Sequence, residues 1–521
     1  MPMGARDIEW PFAKQGVGKK RDRWPTRMAA AIRNIRTRSL ALAALHAFAS
    51  FPALANDAAL LAEIRTLAER IAKLEDRQRE LESGLGSAPT ETRIKPFEVA
   101  RAESDATLAS DPLSDQEPGI VRRPGAVDTE SLGQRKQSAM LEALEGISVN
   151  ASLTGVVQQV NADGSSTSDR ESRANYRGDV TVTLPGGSIG DVEGKIFTHL
   201  RFGQGSGVTL RPTFTSTPNT TAFQTAAGPN DGYAIVAQAW YQLTMPLRAR
   251  GYKQESRQRV EITGGKIDPF VFFDQNAAAD DETVRFMNNA FVHNPLLDSG
   301  GDLGGDAYGF TPGARIAYVD ETDTPDTWGA SVGIFGSGPG ANFTGSLDDP
   351  FIIAQLEATR RFVAGQPGTY RVYWWRNGRA ADFYDSTERH SGWGLSLDQK
   401  MAESITLFTR VGSEISGRVK FDRALTVGAE IGGDGWSRAA DSVGLAAGFL
   451  RTSNAYRDAT ADRTLVGYAA SGTERIAELY YRFHVNDHFD VTPDLQWIQR
   501  PGGDGAAPAI FVGGVRARVG F

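Results

Sequence analysis

Between Ile147 and Phe521 the chain has no sustained helical periodicity, only a long series of stretches of about ten residues in which apolar and polar side chains alternate. No other feature limits the fold as much. About sixteen such stretches are read, near 148–160, 174–184, 194–204, 233–246, 257–267, 313–319, 328–336, 351–363, 368–379, 391–400, 404–414, 421–431, 442–452, 475–485, 489–500 and 510–521. About ten residues is the length a tilted strand needs to cross a bilayer. The connectors alternate too, with short turns at 365–368, 402–403 and 486–487 against long loops at 205–232, 268–312, 337–350 and 453–474. Outer-membrane barrels have short periplasmic turns and long outer loops, so the expected fold is an all-β, 16-stranded antiparallel transmembrane β-barrel with a periplasmic N terminus.

Within strands the two faces separate. In "AELYYRFHV", Ala477, Leu479, Tyr481, Phe483 and Val485 form an apolar file opposite Glu478, Tyr480, Arg482 and His484. The closing "GGVRARVGF" does the same, with Val515, Ala517, Val519 and Phe521 on one side and Arg516 and Arg518 on the other. A soluble β-sandwich would also alternate in this way, but sixteen strands without interruption exceed an ordinary sandwich. A terminal strand ending on Phe521 resembles the signal by which such barrels are recognised for insertion, and it must pair with the first strand because lipid tolerates no open edge. Pro493 lacks an amide hydrogen, so a bulge or a non-bonded position is expected there.

Composition excludes other routes. With 23% charged residues, no apolar run is long enough for a membrane-spanning helix. The absence of cysteine fits a chain that needs no disulfide, and the net charge of −7 argues against nucleic acid as a partner.

Ahead of the barrel the chain changes character three times. Residues 1–27 are basic and patternless and read as an upstream start-site artefact. From Met28 a basic segment, an apolar segment and Ala53-Leu54-Ala55 read as a signal peptide, 28–55. Leu60, Ile64, Leu67, Ile71, Leu74, Gln78, Leu81 and Leu85 then form a heptad seam within 56–86, read as a periplasmic coiled coil. A narrow apolar stripe needs partner helices, so self-association is expected, with a homotrimer favoured over a dimer. Residues 87–146 are acidic, Pro- and Ser-containing and read as a linker, which leaves 147–521 as the barrel.

One connector, 268–312, is far longer than the rest and rich in aromatic and Asn residues, so it is expected to fold into the barrel and narrow the pore. Its acidic stretch "DDETVRFMNN" suits the N-terminus of a short helix. The segments "HLRFGQGSGVTL", "PNTTAFQTAAGPNDGYAIVAQAWYQL", "GKIDPFVFFDQNAAADDETVRFMNNAFVHNPLLDSGGD" and "ELYYRFHVNDHFDVTPDLQWIQRPGG" resemble the carbohydrate-selective porin family, OprB type, from about 190 to 521. The resemblance implies a 16-stranded outer-membrane channel for mono- or oligosaccharides. The heptad extension departs from the simplest members.

A channel that selects neutral polyhydroxylated solutes needs aromatic faces for sugar rings and planar donors and carboxylates for hydroxyls. The long loop offers Phe270, Phe272, Phe273, Asp274, Asn276, Asp280, Asp281, Glu282, Arg285, Asn288 and Asn289. The inward files offer His199, Arg201, Gln238, Trp240, Glu261, Arg371, Tyr373, Trp375, Arg410, Glu478, Arg482, Arg516 and Arg518. Any of these can equally serve only to brace the wall. The expected partners are membrane lipid and sugar solutes, with no cofactor and no metal. The six histidines show no Ser-His-Asp or metal-ligand spacing, so catalysis is not expected. A porin for anions or small carboxylates, and a structural barrel anchoring a stalk, stay open as alternatives.

Overall fold

A computed structural model describes residues 147–521, except 216, 223–229, 248–256, 299–302, 304–307, 339–344 and 346. The segments read as leader, heptad helix and linker lie outside the described residues.

Sixteen strands follow one another: β1 (Ser148–Val160), β2 (Glu171–Ile189), β3 (Val192–Gly205), β4 (Tyr233–Pro246), β5 (Gln258–Ile267), β6 (Thr311–Asp323), β7 (Asp326–Phe335) and β8 (Phe351–Val363). The second half comprises β9 (Gln366–Ala381), β10 (Thr387–Ala402), β11 (Ile405–Ser416), β12 (Phe421–Gly432), β13 (Ser442–Thr452), β14 (Thr473–Asn486), β15 (Phe489–Gln499) and β16 (Ile510–Gly520). Each pairs antiparallel with its neighbours in sequence, and β1 pairs with β16, so the sheet closes on itself. At the seam Phe521 donates its amide to the carbonyl of Ala151 at 2.8 Å and accepts the amide of Ala151 at 3.1 Å. Closure leaves no edge of unpaired backbone.

Alternation sorts the side chains as the pleat requires. Along β14, Ile476, Glu478 and Tyr480 are buried toward the interior while Leu479 is exposed outside. Leu153, Ile316, Val332, Leu356, Leu445 and Leu495 stand out from other strands in the same way. In water such a belt would drive aggregation. Covered by lipid, each of these half-exposed side chains gains on the order of 1 kcal/mol, about half the value for complete burial.

One strand reading needs correction. β2 runs on to Ile189, past the expected end near residue 184, because its polar continuation carries no apolar alternation to read. At Pro493 the second of the two expectations holds, without a bulge: Tyr480 pairs with Asp494 and Phe483 with Val491 in one register, and the ladder to β14 lapses between them. On its other side Pro493 pairs with Val515.

One end of the barrel carries the long connectors, at 206–232, 268–310, 336–350 and 453–472. Two-residue turns at 190–191, 324–325, 364–365, 403–404 and 487–488 sit at the other end. The long-loop end is tied together by Glu474, whose carboxylate accepts the amides of Phe214 at 2.8 Å and Gly502 at 2.6 Å. A short helix α1 (Asn289–Val292) lies in the 268–310 loop, and α2 (Asn454–Thr460) follows β13. The expected helix start at the acidic stretch is not formed: Asp281–Arg285 makes turns, and α1 begins later, capped by the side chain of Asn288. Among the described residues, only Glu282 of the acidic run meets a wall arginine, Arg177, while Asp281 accepts from Thr283 and closes the turn.

Candidate functional site

The interior is occupied by the described part of the long loop, 268–298, which is fastened to the wall at many points. Asp274 takes a left-handed backbone (φ 56°), a conformation Asp tolerates better than most residues. Its amide donates to Gln355 on β8 at 3.0 Å. Its carboxylate accepts the Tyr373 hydroxyl at 2.7 Å, the Arg410 Nε at 3.2 Å and the Asn294 amide at 2.6 Å. Arg410 also donates to the carbonyls of Phe291 and Asp274, at 2.7 and 3.0 Å. Both members of this ion pair are fully buried, a state that holds only where further hydrogen bonds satisfy both groups, as they do here.

The loop continues across the lumen. Asn276 donates to Ser396 on β10, and Arg285 meets Glu430 on β12 at 2.9 Å. Glu478 on β14 accepts the amides of Met287 and Asn288 at 2.5 and 2.9 Å, and Asn288 donates to Gln496 on β15 at 3.0 Å. Arg516 on β16 donates to the carbonyls of Glu282, Val284 and Arg285 at 2.6–2.8 Å. Beneath this polar stitching, Phe273, Phe286, Phe291, Leu296 and Leu297 are buried in one apolar cluster. The loop is therefore a packed partition fixed to the β8–β16 side.

What it faces is the wall of β2–β6, where two groups of side chains meet its edge. Arg177 lies 2.8 Å from Asp179 and 2.6 Å from Glu282 of the loop, and Asp179 also meets His199 at 2.8 Å and Arg201 at 2.7 Å. Alongside runs an aromatic track: Phe197 stacks on Trp240 at 4.7 Å, and Trp240 meets Phe272 of the loop edge-on at 5.6 Å. Lys195 lies 5.3 Å from the Trp240 ring and Arg315 4.7 Å from the Phe272 ring. Glu261 holds Arg315 at 3.0 Å and Arg259 at 2.9 Å.

Charge in the loop is tuned by these contacts. Burial pushes the Glu282 carboxyl up, but Arg177 and Arg201 more than offset this and hold it below the ordinary carboxylate value. Burial also opposes the charge on His293, yet Asp298, at 3.0 Å, and Asp268 raise its pKa above the ordinary one. His293 stacks flat on Phe270 at 3.6 Å, a geometry that favours the protonated ring. Asp268 and Asp280 are pushed up, chiefly by burial.

The residues singled out in the sequence fall into three sets. Glu282, Phe272, Arg201, Trp240 and Glu261 come together where the loop's edge meets the β2–β6 wall, and Phe270 stacks on His293 within the loop. Phe273, Asp274, Asn276, Asn288, Asn289, Trp375, Arg410 and Arg516 are buried where the loop meets the wall, and Arg285 borders that contact. Asp281 closes a local turn with Thr283. Arg371, paired with Glu357 and Asp398, and Arg482, opposite Ser442, stand nearer the short-turn end, away from that contact. Sequence reasoning passed over Arg177, Asp179, Lys195 and Arg315. Their signal was the inward parity of β2, β3 and β6, with Arg177 and Asp179 two residues apart on one face.

The profile described as carbohydrate-selective porin, OprB family, matches residues 199–521. Among solved structures, the high-pH structure of Pseudomonas putida OprB aligns with a TM-score of 0.57 at 17% identity, over 75% of this chain and 97% of that one. At that identity the likeness shows the fold. An anion-selective porin from Comamonas acidovorans aligns with a TM-score of 0.44 at 10% identity, over 72% of this chain and 99% of that one. The channel DcaP of Acinetobacter baumannii aligns with a TM-score of 0.42 at 11% identity, over 72% and 97%. No curated protein sequence matches the chain.

Proposed function

We propose that this chain, which belongs to the carbohydrate-selective porin family of the OprB type, passes neutral sugars by facilitated diffusion through the gap between its long loop and the β2–β6 wall. Membership and the closed sixteen-strand barrel make it a bacterial outer-membrane channel rather than an enzyme. The N terminus and short turns are assigned to the periplasm and the long loops to the outside.

The observation that carries the sugar reading is the pairing of an aromatic track with compensated charge. Part-buried Phe272 and the rim of Trp240, whose face is stacked on Phe197, offer apolar surface for pyranose rings, and the groups beside them are planar donors and carboxylates. Arg177 and Arg201 are matched by Asp179 and Glu282, so the gap is polar without a strong field for anions. Each contact is weak and several are offered in series, which lets a solute enter and leave. Proteoliposome swelling tests the reading. Vesicles carrying the protein should swell in neutral hexoses and disaccharides, and Trp240→Ala should slow swelling in dilute sugar; exclusion of all sugars by an open channel would overturn it.

A further inference from the structure

The outer surface of the barrel is not symmetric between its rims. On β12, β13 and β14 the outward files carry, toward the long-loop rim, Arg423, Arg451 and Arg475, with Thr473 beyond Arg475 and opposite Arg451. Arg423 and Arg451 are directly opposed cross-strand partners. Arg475 is opposite Phe449 and so diagonal to Arg451. Opposed side chains in a sheet stand about 4.5–5.5 Å apart at Cβ and diagonal ones roughly 7–8 Å, and like charges directly opposite repel. The cluster is only partly neutralised. Asp422, the residue bulged out of β12, takes Arg451 in a two-point contact whose Nε arm is 2.9 Å. Among the described residues Arg475 donates only to the neutral Gln499, at 3.4 Å. Among the described residues Arg423 makes no hydrogen bond or ion pair, and it is exposed.

Directly below these arginines the same outward files become apolar and exposed, with Leu425, Phe449, Leu445 and Leu479. At the opposite rim the same strands end outward on aliphatic and aromatic residues. Arg438, which lies 4.1 Å over Phe483 there, is matched by a two-point contact with Asp441. The unbalanced positive charge therefore belongs to one rim, at the level where an acyl-covered wall gives way to headgroups.

We propose that Arg423, Arg451 and Arg475 hold the phosphomonoester headgroup of a membrane lipid whose acyl chains lie on Leu425, Phe449 and Leu445. Three guanidinium charges less the Asp422 carboxylate leave two positive charges. A phosphomonoester carries close to two negative charges near neutral pH, about −1.5 to −2, whereas a phosphodiester carries one. Guanidinium forks also match phosphate oxygens bidentately. The apolar files fix the orientation: the phosphate sits at the rim and the chains run toward mid-membrane.

Native mass spectrometry of the full chain in detergent tests this with three probes: dioleoyl phosphatidate, dioleoyl phosphatidylglycerol and inorganic phosphate. Phosphatidate should be retained preferentially over the phosphodiester, and the double variant R423Q/R451Q should bind it roughly 25-fold less tightly, about fivefold for each headgroup-facing arginine. R423K/R451K should keep most of the binding, and R475Q should lose about fivefold by itself. A heat-shift on denaturing gels checks that each variant is a folded barrel. Equal retention of phosphatidate by the glutamine variants, or of both lipids by the native chain, would overturn the proposal. So would displacement of phosphatidate by an equimolar amount of inorganic phosphate, which would leave an anion site with no lipid component.

Discussion

Arg177 on β2 and Glu282 in the long loop, 105 residues apart in the chain, meet at 2.6 Å and join the loop to the wall. Arg177 keeps Asp179 as a second partner. Replacing Glu282 with Gln should therefore leave the barrel intact and release positive potential into the lumen. Reversal potentials in a salt gradient should shift toward anion permeation by several millivolts, and a shift toward cations would contradict this assignment of charge.

The partition depends on the Asp274–Arg410–Tyr373 network. Asp274→Ala strands a buried guanidinium, a loss on the order of 3–5 kcal/mol for the loop's attachment. The strands keep their ladders, so the expected result is a folded barrel with larger and noisier single-channel conductance. Deleting about 277–290 should raise conductance further, since it removes the amides that Glu478 accepts. Unchanged conductance in both variants would mean that the solute path avoids the loop altogether.

Much of this arrangement was legible beforehand and part was not, for reasons that particular residues make plain. β14 and β16 announced themselves because Leu479 and Val515 face lipid while Glu478 and Arg516 face inward, and that contrast is a one-dimensional signal. Inward polarity does not say whether a side chain borders the solute path or fastens a loop. Asp274 and Arg410 were read as lumen groups and are fully buried braces. Arg177 and Asp179 sat unremarked in an expected strand, because only closure of the barrel and folding of the loop bring Glu282 to them. β2 was read short because residues beyond Leu184 lie past the lipid belt and need no alternation.

Two loop contacts give opposite pH dependences. The pKa of His293 is raised, so its contribution to holding the loop is fully present below the ordinary histidine value of about 6.5 and is lost as pH rises through the raised one. The pKa of Glu282 is lowered, so its contribution is present above the ordinary carboxylate value of about 4.3 and is lost as pH falls through the lowered one. Open-channel noise should be least between these limits and should rise on both sides. His293→Phe, which preserves the stack on Phe270, should abolish the alkaline rise and leave the acid one. An alkaline rise that survives in this variant would remove His293 from the account.

For the heptad segment we propose self-association, a trimer in preference to a dimer. Removing 56–86 should reduce the oligomer seen by native mass spectrometry while single-channel conductance stays the same. A monomer from the intact chain, or an unaltered oligomer from the truncated one, would refute a role for the seam in assembly.

The central claim is that the gap beside Trp240 is a path for neutral sugars, and current through single channels in planar bilayers tests it most directly. Added glucose or a short oligosaccharide should reduce the current in a saturable manner, with weak preference between cations and anions. Trp240→Ala should raise the half-blocking concentration about tenfold, as expected for loss of one ring-stacking contact worth about 1–1.5 kcal/mol. Strong anion selectivity that no sugar reduces, in the native channel, would contradict the account.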